Sequence, residues 1–291
     1  MRVSFLGLGV MGGAMAGHVL DAGHSLVVWN RSQSRAEEWS AGRSGVVVAA
    51  TPAEAARLSD VVLMCVSDDR AIREVLVGDD GVLLTAASGT IVVDHSTTSA
   101  HAAREMAQAC ADRGVGFLDA PVSGGQAGAV GGTLTVMIGG AQEHLDRVEP
   151  VLETYSAKRR RLGDVGAGQL AKMVNQICIA GLVQALSEGV AFAQRTGQDV
   201  EAVFEAISAG AAGSWQMANR HQTMNRDEFE FGFAVEHMRK DLAICLAEAK
   251  DARAALPVTA LVDQFYAEVV AAGGSRWDTS SLLTRLPRQR P

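Results

Sequence analysis

Lys172 and Asn175 stand three residues apart in Gly168-Gln169-Leu170-Ala171-Lys172-Met173-Val174-Asn175, so on a helix they share one face. Leu170, Met173, Val174 and Ile177 make their surroundings apolar. A lysine on an apolar helix usually carries its ammonium out to water. Here the helix begins where two predicted domains join, the expected place for a cleft, and that position makes Lys172 a candidate acid–base group. A second candidate segment is Asp119-Ala120-Pro121-Val122-Ser123-Gly124-Gly125. It ends a predicted strand with a hydroxyl followed by two glycines, which leaves backbone N–H groups open to an approaching anion. A plain turn and a cradle for a carboxylate both fit these residues.

A third group of residues binds rather than reacts. The first predicted strand runs directly into Gly7-Leu8-Gly9-Val10-Met11-Gly12, and Met15, Ala16, Val19 and Leu20 then follow at helical spacing. In this context Gly7 permits a tight turn, Gly9 lets the backbone approach a pyrophosphate, and Gly12 allows the helix to pack closely on the strand. The helix N-terminus offers N–H groups and a positive dipole end to the phosphates. Strand, glycine loop and helix in this order predict a dinucleotide site. At the end of the second strand, where a carboxylate would hold the ribose hydroxyl of NAD, the sequence has Asn30-Arg31-Ser32. With no acidic group to repel a 2'-phosphate, and a guanidinium and a hydroxyl placed to bind one, NADP(H) is the expected cofactor. Later strand ends add Val66, expected to pack on the cofactor, and Thr97, expected near the nicotinamide ribose or ring. His95 reads as structural.

The elements that must position these groups follow from periodicity. Up to about residue 160, short β-branched runs alternate with helical patterns, the form of a parallel sheet covered on both faces. Strands are predicted at residues 3–6, 25–29, 46–49, 61–66, 91–94, 116–120 and 133–138, with helices at 10–22, 34–41, 69–76, 99–113 and 142–154. From about Gly166 the strand runs stop. One long helix is predicted over 169–196, then others at 199–208, 214–225, 235–255 and 258–272. The expected architecture is therefore an α/β, doubly wound Rossmann domain over residues 1–163 and an all-helical domain for substrate binding and oligomerisation over 164–291, joined by a long interdomain helix. The basic tail from Thr284 to the end is expected to be disordered.

Composition bounds the partners. The chain has 291 residues, 48% of them hydrophobic, and a formal net charge of -7. It lacks the broad basic field that nucleic acid or an anionic membrane would require. Cys65, Cys110, Cys178 and Cys245 are widely spaced, with no C-x-x-C pair, and read as reduced, packed thiols of a cytoplasmic protein. The seven histidines show no metal-ligand spacing, so no metal is expected. No uninterrupted stretch is expected to span a bilayer, because Gln184, Ser187 and Glu188 break the run over 177–192. Arg220, Arg226, Arg239 and His237 read as solvated helix surface rather than distal anion contacts.

Taken together, the Gly7-to-Gly12 loop with Met11, the Asp119-to-Gly125 segment, Gly168-x-x-x-Lys172-x-x-Asn175 and Lys240-Asp241-Leu242 resemble the beta-hydroxyacid dehydrogenase family over nearly the whole chain. That family includes 3-hydroxyisobutyrate dehydrogenase, tartronate semialdehyde reductase and succinic semialdehyde reductases. The resemblance implies that Lys172 is the essential acid–base residue. It further implies that Ser123, Gly124 and Gly125 bind the substrate carboxylate, that Asn175 orients substrate beside the lysine, and that Lys240 lines the site near the nicotinamide. Trp215 is expected to form a pocket wall or a core aromatic. A neighbouring Lys240 ammonium and a partly apolar site are expected to lower the Lys172 pKa. The implied reaction interconverts a small β- or γ-hydroxy carboxylic acid and its semialdehyde, in a homodimer or homotetramer. Two alternatives share the architecture. An imine reductase typically has another residue in place of the lysine, and a non-catalytic dinucleotide-binding scaffold should have lost the lysine and gained a basic extension.

Overall fold

Alternating burial along the strands decides which side chains enter which core. In β1 (Arg2–Leu6), β4 (Val61–Met64) and β5 (Ile91–Asp94), Val3, Phe5, Val61, Leu63, Ile91 and Val93 enter one core. Leu6, Val62, Met64 and Val92 enter the other, as the two-residue period of a strand requires. Helices close both faces. Against the first core pack α1 (Val10–Asp21), which contributes Met15, Ala16 and Val19, and α2 (Gln33–Ser40), which contributes Ala36. Against the second pack α3 (Pro52–Arg57), α4 (Asp69–Val77) and α5 (Ala100–Ala111), through Ala55, Ile72, Leu76, Met106 and Cys110.

The computed structural model describes residues 1–288. The other elements of the sheet are β2 (Ser25–Trp29), β3 (Val46–Val48), β6 (Gly116–Asp119), β7 (Val122–Ser123), β8 (Leu134–Gly140) and β9 (Ser156–Gly163). Between them lie the short helix α6 (Gly125–Val130) and α7 (Gln142–Leu152). The strand order is β3-β2-β1-β4-β5-β6-β8-β7, with β9 on β8. Strands β3 to β6 along this path are parallel, so β1, β2, β4, β5 and β6 all end at one edge. Ligands bind at that edge in doubly wound sheets. β6 and β7 run antiparallel to β8, and β9 runs parallel to it.

From α8 (Ala167–Arg195) onward the structure is helical: α9 (Val200–Ile207), α10 (Trp215–Asn225), α11 (Val235–Asp251), α12 (Pro257–Ala271) and a 3-10 segment at Thr279–Arg285. Leu186 and Val190 of α8 pack with Phe204, Met217 and Met224, while Ala180 and Val183 pack with Val235, Met238, Leu242, Val262 and Tyr266. The chain divides into two compact units, Met1–Lys172 and Met173–Pro291. α8 starts in the first and continues through the second.

Several expectations need correction. β9 was not expected as a strand, nor were α3 and α6 as helices. α11 stops at Asp251 rather than at residue 255, because Arg253 takes φ +53 and the Ala254 N–H turns back to the Ala249 carbonyl. By length and composition α8 is apolar enough to cross a membrane, contrary to expectation. Buried Gln176, Gln184 and Ser187 all make hydrogen bonds within the helical unit, which suits the core helix of a folded domain. Cys178 is exposed, not packed. Within the expected disordered tail, Thr284 and Arg285 belong to the 3-10 segment, and the Arg288 guanidinium is buried in an ion pair with Asp227. Residues 289–291 lie outside the described residues.

Candidate active site

The glycine loop has the geometry that its residue types demand. Gly7 takes φ +95°, and a Cβ there would stand 2.3 Å from the Cys65 carbonyl oxygen. A Cβ on Gly12 would lie 2.0 Å from the Gly7 oxygen and 3.0 Å from the Phe5 ring. At Gly9 a Cβ would meet nothing within 4 Å. The backbone at the start of α1 is therefore open on the side a pyrophosphate would approach, and the loop fits a dinucleotide. Within it, Leu8 is buried in the core, its N–H donates to Asn30 Oδ1 at 3.0 Å and its carbonyl accepts from Arg35 Nε at 2.9 Å. Val10 is exposed and Met11 partly so. Asn30 is thus a clamp: its Nδ2 also donates to the Ser32 carbonyl at 3.1 Å, which ties the loop to the end of β2.

Arg31 is exposed and lines a cavity with Ser67, Asp68, Arg70, Ala71 and Glu74. Ser32 Oγ lies 3.1 Å from Ser34 Oγ. Beyond β4 the Val66 N–H donates to Ser96 Oγ at 2.8 Å. Thr97 is half-buried in the turn after β5. That turn is held by Gln169, which sequence reading passed over. Its fully buried amide accepts from the Thr98 N–H at 3.1 Å and donates to the Ser96 carbonyl at 2.8 Å.

His95 is structural, as expected. One ring nitrogen, Nδ1, lies 2.7 Å from the Ala120 carbonyl oxygen and the other, Nε2, 2.8 Å from the Tyr155 hydroxyl. Burial pushes its pKa down to about 4. The neutral ring donates from Nδ1 to the carbonyl, and Nε2 accepts from the Tyr155 O–H.

Lys172, five residues into α8, is buried, and its Nζ donates to the Val122 carbonyl at 2.9 Å. The first unit therefore brings the lysine to the strand residue immediately before Ser123. Ser123 is half-buried, while Gly124 and Gly125 are exposed at φ +133° and +60°, conformations that favour glycine. Ser123 and the two glycines thus lead from the lysine's anchor to an exposed backbone turn. Asp119 closes the other end of the segment. Burial pushes its carboxyl above the usual range, and the N–H groups of Gly166 and Gln169 oppose that shift.

The remaining candidates belong to the helical unit. Asn175 Nδ2 donates to Gln176 Oε1 at 2.9 Å, Gln176 Nε2 donates to buried Asp241 Oδ2 at 2.5 Å, and Lys240 Nζ stands 3.1 Å from Asp241 Oδ1. A buried amide and carboxylate thus link Asn175 to Lys240. Trp215 is 55% exposed at the start of α10, which removes the core-aromatic reading. The Arg220 guanidinium stands 4.8 Å from the Trp215 ring and 5.0 Å from the Phe231 ring, and it pairs at 3.1 Å with buried Asp278. Arg220 is therefore neither solvated surface nor an open anion contact. Arg239 pairs with Asp263, and Arg226 with Glu228 at the surface.

Known proteins resemble this chain over nearly its whole length. A family model described as the NAD binding domain of 6-phosphogluconate dehydrogenase matches residues 2–166. A second, described as NAD-binding of NADP-dependent 3-hydroxyisobutyrate dehydrogenase, matches residues 166–286. An oxidoreductase of Shewanella frigidimarina is 53% identical over 99% of both chains. The 2-hydroxy-3-oxopropionate reductase of Escherichia coli is 35% identical over 98% of this chain and 97% of its own. The solved 3-hydroxyisobutyrate dehydrogenase of Mycobacterium tuberculosis with L-serine superposes with a TM-score of 0.88 at 30% identity, covering 98% of this chain and 99% of that one. With two family models in order and relatives aligned end to end, the chain belongs to the beta-hydroxyacid dehydrogenase family and is a hydroxyacid dehydrogenase that uses a nicotinamide dinucleotide.

Proposed function

We propose that this enzyme uses NADP(H) to interconvert a small β- or γ-hydroxy carboxylic acid and its semialdehyde, with Lys172 as acid and base. The observation that carries the reading is the 2.9 Å hydrogen bond from Lys172 Nζ to the Val122 carbonyl. It sets the buried Lys172 amine, at the start of α8, beside the segment proposed to hold a carboxylate. Two relatives are named for substrates of this class, 2-hydroxy-3-oxopropionate and 3-hydroxyisobutyrate.

The cofactor would rest on the backbone of Gly7, Gly9, Val10 and Met11, with Arg31 and Ser32 on the 2'-phosphate and Val66 and Thr97 further along the same sheet edge. When bound, it supplies or accepts the hydride. The chain's own groups do the rest. Ser123 Oγ and the N–H groups of Gly124 and Gly125 hold the substrate carboxylate, which fixes the distance from that group to the reacting carbon. The Lys172 ammonium donates a proton to the carbonyl oxygen as negative charge develops there, and the neutral amine recovers that proton when the alcohol is oxidised. For Asn175 and Lys240, linked through Gln176 and Asp241, and for Trp215, the proposed roles are those that the family resemblance implies: orienting the substrate, lining the nicotinamide and forming an aromatic wall.

NADPH oxidation with succinic, methylmalonic and tartronate semialdehydes, glyoxylate and a cyclic imine tests this reading. Turnover of at least one semialdehyde, lost in Lys172→Ala, is expected. Full activity in Lys172→Ala, or turnover of the imine alone, would overturn it.

A further inference from the structure

The segment bearing Ser123 meets the start of α8 at two points, and only one of them is the lysine. Asp119, the last residue of β6, is fully buried. Its Oδ1 accepts from the Gly166 N–H at 2.8 Å and its Oδ2 from the Gln169 N–H at 2.9 Å. These N–H groups are among those an α-helix leaves without partners at its beginning. The usual cap is a side chain from the residue just before the helix. Here it comes from a strand 47 residues earlier in the chain.

The joint is closed on both sides by glycines. A Cβ on Gly139, paired with Asp119 across β6 and β8, would lie 2.4 Å from Asp119 Oδ1. One on Gly168 would lie 2.6 Å from the Asp119 backbone oxygen, 2.9 Å from Oδ2 and 2.5 Å from the Met137 oxygen. Neither position has room for a side chain unless the helix start moves away from the sheet. Three residues after Asp119, the Val122 carbonyl receives Lys172 Nζ. Between these points the segment is fixed again, because the Ala120 N–H donates to the Asp94 carbonyl and the Met137 N–H to the Pro121 carbonyl.

We propose that Asp119 is the positioning residue for Lys172: it fastens the root of the lysine's helix to the same short segment that receives the lysine's tip and carries Ser123. The place of the amine relative to the substrate carboxylate is then set by one stretch, residues 119–123, rather than by the flexible four-carbon stem. Asp119 touches no reacting atom in this scheme, and the inference rests on the acid–base role proposed above for Lys172. Asp119→Asn retains one acceptor but turns an amide NH2 toward a backbone N–H, so one cap bond is lost and the first turn of α8 loosens. Displacement of a catalytic group by about 1 Å is enough to cost on the order of a hundredfold in rate.

Full-length Asp119→Asn tests this with readouts beyond turnover. In the protein without cofactor, hydrogen exchange is expected to accelerate at least about tenfold over residues 166–172 and to stay unchanged in β1 and α1. NADPH affinity should remain within about twofold, because the glycine loop is untouched. The kcat should fall by about 10- to 100-fold, and its solvent deuterium isotope effect should rise, because proton transfer becomes more rate-limiting. Gly168→Ala presses the same joint from the helix side and should give the same pattern; it stands in if Asp119→Asn does not fold. Wild-type kcat would overturn the proposal. So would a kcat loss with an unchanged isotope effect and a parallel loss of NADPH binding, which is the signature of a role in folding alone. Full activity in Lys172→Ala would remove the reading beneath it, whereas an inactive Lys172→Ala beside a normal Asp119→Asn would remove this inference only.

Discussion

Lys172→Ala should lower kcat by about 10²- to 10⁴-fold, the range for loss of a positioned acid–base group, while NADPH fluorescence titration shows cofactor affinity nearly unchanged. Arg31 tests the cofactor side separately. A charge-assisted hydrogen bond contributes about 1.5–3 kcal/mol, so Arg31→Ala should raise the NADPH KM by about 10- to 100-fold and leave the NADH KM within about twofold. Equal effects on both cofactors would contradict a 2'-phosphate role. His95 gives a pH signature. Its folded pKa of about 4 lies below the ordinary value near 6.5, so the unfolded chain binds the extra proton first as pH falls. The stabilisation is complete above about pH 6.5 and is lost progressively toward pH 4, by an amount on the order of 3 kcal/mol. Urea titrations of His95→Asn from pH 7 to pH 4.5 should show a shallower loss of stability than wild type; parallel curves would remove His95 as the cause.

Helix ends and strand pairing explain which elements could be read from sequence and which could not. The first loop was readable because strand, glycines and helix follow one another in a single segment; in the fold Gly7, at φ +95° with the Cys65 carbonyl 2.3 Å from a would-be Cβ, admits glycine alone. Gly7→Ala should cost at least about 1–3 kcal/mol in stability and weaken dinucleotide binding, read by thermal melting and NADPH titration. α3 had a signal that went unused. In Thr51-Pro52-Ala53-Glu54 the Thr51 side chain accepts from the Glu54 N–H, and Glu54 Oε2 accepts from the Ala50 N–H, but six residues are too few for a period. Strand β9 had almost none, since Lys158, Arg159, Arg160 and Arg161 in succession show no apolar alternation. Its support is tertiary: parallel pairing with β8, Arg159 on Glu149 and Glu153, and Arg161 Nε donating to the Gly140 carbonyl. The Asp119 segment stood out in the sequence, but the contacts of Asp119 and Gln169 did not, because their partners lie dozens of residues away in the chain. Lys172, Ser123 and the glycines of the loop can be proposed from sequence because spacing within a single segment singles them out.

At the scale of the chain, the candidate residues fall in two units. The first unit supplies the glycine loop, the lysine anchor and the Ser123 segment, and the second holds Asn175 and Lys240 on the buried Gln176 and Asp241 pair. A ligand that binds only the folded chain stabilises it by about 2.7 kcal/mol at a hundred times its Kd. At equal concentration NADP+ should therefore raise the melting midpoint by several degrees more than NAD+, and equal shifts would count against the Arg31 assignment. The most direct measurement is the initial rate of NADP+ reduction with 3-hydroxyisobutyrate, glycerate and 4-hydroxybutyrate, comparing wild type with Lys172→Ala. The expected result is turnover of at least one of these acids by wild type, faster with NADP+ than with NAD+, and a loss of at least about a hundredfold on removal of the amine. A Lys172→Ala enzyme as fast as wild type is incompatible with this chemistry.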